Sequence, residues 1–144
     1  MNRFASLAAL LVFVAAAPGC DVEEPTPPAK PTFARVNEEI LKPSCTFACH
    51  SGGDNAAGGL DLSEDPYGVL VGTEPTALAC VGVAMKRVAP GDPNTSLVYV
   101  KLVAKQENVD PICGDVMPPA PSPALTQDQL DLVRAWIAAG APND

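Results

Sequence analysis

The residues best equipped for chemistry stand together at Cys45-Thr46-Phe47-Ala48-Cys49-His50: two thiols with three residues between them, followed directly by an imidazole. Two thiols just ahead of a histidine suit covalent haem attachment. The sulfurs bond the two vinyl edges of the porphyrin while the imidazole reaches the iron from the same side. The usual spacing is C-x-x-C-H, with about one helical turn between the sulfurs. Here one more residue intervenes, so the backbone must bulge to bring both sulfurs to the ring. His50 is the single histidine in 144 residues. That excludes sites needing two imidazoles from one chain, blue copper included. It also requires any second axial ligand to be another residue type, and methionine thioether is the common partner of histidine in low-spin electron carriers. Met117 lies in the proline-stiffened run Val116-Met117-Pro118-Pro119 and is the expected distal ligand. Met85, which has no such proline loop, is the fallback.

The elements that must hold these residues read as helices joined by long loops. Phe33, Val36, Ile40 and Leu41 recur at helical spacing with Asn37, Glu38 and Glu39 between them, predicting a short amphipathic helix ended by Pro43. Glycines at 52 and 53 open a loop after His50, and Gly58-Gly59-Leu60-Asp61-Leu62 predicts a turn and a short extended piece. Ser63 is expected to cap a helical turn through Tyr67, Val69 and Leu70, with Glu64 and Asp65 in its first turn. Pro90-Gly91-Asp92-Pro93-Asn94-Thr95 punctuates the chain before a helix over 96–103 that presents Leu97, Val98, Lys101 and Leu102. A loop over 108–124 carries Cys113, Met117 and five prolines. The last helix has the clearest signature. Thr126 and Gln129 form a capping box, Leu130, Val133, Trp136 and Ile137 share a face, and Gly140 and Pro142 stop it. No run alternates like a strand and no repeat is present, so the fold class is mostly α.

In this order the elements resemble a class I cytochrome c domain: an N-terminal helix, the C…CH element, a glycine-rich loop, a middle helix, a methionine loop and an aromatic-bearing C-terminal helix. The chain is similar in particular to small lipoprotein cytochrome-c-like domains of bacterial envelopes, which often end in a Trp-Ile-x-x-Gly-Ala segment like residues 136–141 here. The resemblance spans about residues 33–142. It implies a small helical domain with long loops around a haem c. Cys45 and Cys49 would be the thioether attachments, His50 the proximal iron ligand and Met117 the distal one. Trp136 and the Leu130/Val133/Ile137 face would pack on the N-terminal helix. The implied function is a single-electron carrier, not an enzyme, serving a redox protein partner in the envelope.

The N-terminus points to the same compartment. Arg3 precedes an acid-free apolar run over residues 5–17, shorter than the roughly 20 residues that span a bilayer. Ala15-Ala16-Ala17-Pro18-Gly19 then leads into Cys20, which resembles the lipobox of bacterial lipoproteins, with Ala17 where leucine is usual. The implied organisation is a signal peptide over 1–19, a lipidated Pro-rich tether over 20–31 and the domain over 32–144. Membrane attachment would run through Cys20, on the periplasmic or outer-surface side. An ordinary signal peptide cut nearby is the alternative. Seventeen acids against nine bases give a charge of −8, which disfavours a nucleic-acid partner. Aromatics are 5% of a chain that is 47% hydrophobic, leaving few rings to fill a core.

Cys80 and Cys113 remain, and in an oxidising envelope they read most simply as a disulfide. A haem-free alternative pairs Cys45 with Cys49 as well, giving a disulfide-stapled surface lipoprotein that acts as a binding or structural module. A zinc site built from Cys45, Cys49, His50 and either Cys80 or Cys113 is a weaker rival. Hydrolytic catalysis lacks its parts: there is no G-x-S-x-G, no Walker-type loop and no second base beside His50.

Overall fold

Thr32 opens the first helix, its hydroxyl accepting from the Arg35 N–H at 3.3 Å. The computed structural model describes residues 29–47 and 49–144, so the expected signal peptide, the lipidation at Cys20 and most of the tether lie outside the described residues. Helix α1 (Phe33–Val36) buries Phe33 and Val36 and continues without a break into a π-helical segment, Asn37–Thr46. Pro43 therefore does not end the helix as predicted; it lies inside it. A proline offers no N–H, and in an α-turn its ring collides with the carbonyl four residues back. Winding with i→i+5 bonds widens the turn around it. The Glu39 carbonyl, one turn before the proline, also accepts from the Gln129 side-chain amide at 3.2 Å, which ties this segment to the last helix. The polar face carries the ion pairs Arg35–Glu39 and Lys42–Glu38, so Glu38 and Glu39 serve a solvated surface.

Helix α2 (Pro66–Leu70) is capped by Asp65, which accepts from the Gly68 N–H at 2.9 Å, with Pro66 in the first turn. Ser63 is not the cap that the sequence suggested: its backbone and hydroxyl are bonded to Asp61. Helix α3 (Leu97–Glu107) runs one turn beyond the predicted end and stops where Asn108 turns left-handed at φ 54°. Helix α4 (Gln127–Ala138) begins as expected. Thr126 Oγ1 accepts from Gln129 N–H, and Gln129 Oε1 accepts from Thr126 N–H at 3.0 Å. Gly140, at φ 96°, ends it. Short 3₁₀ turns and loops make up most of the rest, and no strand occurs among the described residues. Two isolated parallel bridges, Val71 to Val88 and Lys86 to Ser96, tie the intervening segments together. The described domain is mostly helical, as expected. No helix among the described residues is long and apolar enough to cross a membrane.

The core lies where α1, α3 and α4 meet, and its centre is a group of three aromatics. The Phe33 ring stands edge-on to Tyr67 at 5.1 Å and tilted against Trp136 at 5.5 Å. Val36, Ile40, Leu70, Val88, Val133 and Ile137 are buried around them. Both polar aromatics find partners in the C-terminal tail: Trp136 Nε1 donates to the Pro142 carbonyl and Tyr67 OH to that of Ala141, each at 2.9 Å. The tail then closes over the start of α1, where Asp144 accepts from the backbone N–H of Phe33 and Ala34. A second, smaller cluster forms around Cys80 and Cys113, which are joined at an S–S distance of 2.00 Å and packed with Leu97. This is the pairing that the sequence suggested. It binds the segment before α3 to the loop that leads to Met117.

Gln129 is the junction between α1 and α4, so Gln129→Ala should cost about 1–2 kcal/mol in denaturant unfolding, the sum of a lost cap and an exposed backbone carbonyl. Gln129→Glu should recover only the capping part. Opening the Cys80–Cys113 loop with Cys113→Ser should cost more, about 3–4 kcal/mol by the chain-entropy argument for a loop of this length.

Candidate functional site

The π-wound segment carries straight into the cysteine–histidine element. Thr46 Oγ1 donates to the Leu41 carbonyl at 3.1 Å, and the His50 N–H to the Cys45 carbonyl at 3.1 Å, each reaching five residues back. An α-turn reaches four. The wider winding thus matches the one residue by which this element exceeds the usual spacing. Phe47, inside the element, is 90% exposed and contributes nothing to the core.

His50 is buried, with 9% of its surface exposed. Its ring Nδ1 lies 3.2 Å from the Leu60 carbonyl. A carbonyl can only accept, so Nδ1 carries a proton, and in the neutral imidazole the lone pair is then on Nε2. The backbone holds the ring's position as well: the His50 carbonyl accepts from Leu62 N–H at 2.8 Å, and Ala57 N–H donates to the Cys49 carbonyl at 2.8 Å. Gly59 makes this loop possible. It has φ 63°, and a Cβ there would lie 2.9 Å from the Thr76 hydroxyl.

Cys45, Cys49, His50 and Met117 all line one cavity. Its walls are otherwise largely apolar, built from Val36, Ile40 and Leu41 of the first helix, Leu97, Val98 and Leu102 of α3, and Val133 and Trp136 of α4. The space between these walls opens to solvent on one side. Met117 is half-buried against the main core, its N–H bonded to the Lys101 carbonyl at 3.3 Å, and a cis bond leads into Pro118. Met85 packs instead with Cys80, Leu97 and Cys113 and does not itself line the cavity. The four residues singled out in the sequence are therefore brought together, and the fallback methionine is not among them.

Cys45 and Cys49 are free thiols. Burial, with a lesser contribution from the neighbouring Cys49, pushes the Cys45 thiol up to about 11. Cys80 and Cys113 are occupied with each other, so neither can complete a zinc site with this pair. Among the described residues no three His, Cys, Asp or Glu side chains come together as a cation cage.

Two residues on the cavity wall carry charge: Arg87 and Lys101. Arg87 reaches across to the Val69 and Gly59 carbonyls and the Thr76 hydroxyl. Lys101 donates to the Asp115 carbonyl at 2.9 Å. Burial lowers the basicity of both. Lys101 had a sequence signal, a lone cation on the face shared by Leu97, Val98 and Leu102. Arg87 had none, since its partners lie 11 to 28 residues away in the chain.

The raised Cys45 thiol fixes the sign of its pH dependence. At pH 8 only roughly one Cys45 in a thousand is ionised, against a substantial fraction of an ordinary thiol. Alkylation of Cys45 by iodoacetamide, followed by peptide mass mapping, should therefore be slow at pH 8 and accelerate up to about pH 11.

Comparison with known proteins finds no family model, no curated protein and no solved structure that matches the chain.

Proposed function

We propose that this chain is a single-electron carrier of the bacterial cell envelope, built to hold a c-type haem and anchored by a lipid at Cys20. The observation that carries the proposal is the meeting of Cys45, Cys49, His50 and Met117 on the wall of one apolar cavity. The donor set fits the group: two thiols for the vinyl edges, an imidazole with its free nitrogen available, and one thioether. Cys45 and Cys49 would hold the porphyrin, with His50 and Met117 as its axial ligands. Bound there, the haem would supply a one-electron Fe(III)/Fe(II) couple.

The chain's own residues do the rest. The Leu60 carbonyl accepts a hydrogen bond from His50 Nδ1–H, which selects the tautomer, restrains the ring and makes Nε2 a better ligand. Lys101 and the prolines after Met117 hold the methionine loop against α3. Leu41, Leu102, Val133 and Trp136 keep water from the cavity, a condition that favours a high potential for histidine–methionine ligation. If His50 and Met117 both hold the iron, no coordination site would be left for a substrate, which favours transfer over turnover. The charge of −8 favours a basic redox protein as partner, with an association that weakens as salt rises.

Expression of the full chain in a host with haem-attachment machinery tests the reading directly. After denaturation the haem should remain with the polypeptide, and Cys45→Ser or Cys49→Ser should each reduce that covalent retention. A colourless protein in which Cys45 and Cys49 are joined to each other sinks the proposal in favour of the haem-free module. Met117→Ala should convert the low-spin spectrum of the reduced protein to a high-spin one. An unchanged spectrum removes Met117 as the distal ligand.

A further inference from the structure

We infer that Arg87 and Lys101 form a dicarboxylate-binding pair on the cavity wall, each taking one of the two carboxylates of the porphyrin. The inference rests on the haem reading and adds to it residues that the cysteine–histidine motif does not reveal.

The first argument is the absence of a counter-ion where one is most needed. Acids outnumber bases in this chain by 17 to 9, and most of the exposed cations have found one. Lys30 pairs with Asp144, Arg35 with Glu39, Lys42 with Glu38 and Lys86 with Glu74. Arg87 and Lys101 are partly buried, yet among the described residues they donate only to neutral oxygens. The Asp115 carboxylate is near enough to favour the charged form of Lys101 but makes no ion-pair contact with it. Lys105 and Arg134, the other described cations without an ion pair, do not line the cavity. A cation partly withdrawn from water against apolar walls loses some hydration, and an anion beside it offsets that loss. Here the space beside both cations is the cavity itself, so the missing anions are those of its ligand.

The second argument is where the two cations are fastened. Arg87 holds the Gly59 carbonyl, next to Leu60, whose own carbonyl orients His50. Lys101 holds the Asp115 carbonyl through its ammonium group, while its backbone carbonyl accepts from Met117 N–H. One cation thus belongs to the histidine side of the cavity and the other to the methionine side. A ligand with two carboxylates satisfies both, and a neutral ligand of the same shape satisfies neither.

The test uses the full chain produced without haem-attachment machinery and with its thiols reduced. Ferric protoporphyrin IX and its dimethyl ester are titrated separately, followed by the porphyrin absorbance and by quenching of Trp136 fluorescence. The diacid should bind at least about tenfold more tightly than the diester, as expected for charged hydrogen bonds made inside a cavity. Arg87→Gln and Lys101→Met should each reduce that ratio, and the double variant should bring it near one. Arg87→Lys and Lys101→Arg, which keep the charge, should retain most of it. Circular dichroism checks the fold, and the wild-type ratio tests the claim even if a variant fails to fold. Equal binding of the two porphyrins by the wild type, or full discrimination by a folded double variant, overturns the pair and leaves the haem reading standing. Binding of neither porphyrin overturns both.

Discussion

Passage of the first helix through Pro43 is the constraint from which the geometry of the cavity follows. An α-turn cannot close there, so the segment winds with i→i+5 bonds from Asn37 to Thr46. That winding delivers Cys45 to the cavity while Ile40 and Leu41 stay in the core. Gln129 of α4 adds a polar tie to the same segment, donating to the Glu39 carbonyl. The same glutamine closes the capping box of α4. The packing of the first helix against α4 therefore combines this amide, with its two partners, with the Phe33–Trp136 contact and the buried aliphatic residues around it. Removing Pro43 would remove the reason for the helix to widen.

What the sequence disclosed about the fold depended on how local the cause was. Helix α4 was legible at both ends because Thr126, Gln129 and Gly140 act within a few residues of their targets. Phe33, Val36, Ile40 and Leu41 were legible as one buried face because helical periodicity is itself local. The end of that helix was not, because proline ordinarily stops an α-helix and nothing local to Pro43 marks the π-winding that carries the chain through it. Helix α3 outran its expected length for a different reason: Asn108 stops it in the left-handed conformation that glycine usually marks. The cap of α2 fell on Asp65 and not Ser63 because Asp61 had already engaged the serine.

The site shows the same division. Cys45, Cys49 and His50 announce themselves by adjacency, and Met117 by its prolines and by the lack of a second histidine. The Leu60 carbonyl that sets the histidine tautomer is backbone, and no residue type encodes it. Arg87 is a single arginine in a stretch without a motif. Only the fold brings it to Gly59, Val69 and Thr76 and so to the cavity wall.

Charge is also divided by location. Outside, acids dominate, and most of the exposed cations are spent on them. On the largely apolar cavity wall, Arg87 and Lys101 donate to neutral oxygens and make no ion pair among the described residues. A chain selected only for a stable empty fold gains nothing from that arrangement, because hydrophobic residues of similar size would pack there without the desolvation cost. The three aromatics at the junction of α1, α2 and α4 already close the core on that side, so the cavity is not a by-product of having too few large side chains. One largely apolar wall thus brings a thiol pair, an oriented imidazole, a thioether and two cations to the same space, from segments as far apart in the chain as residues 45 and 117.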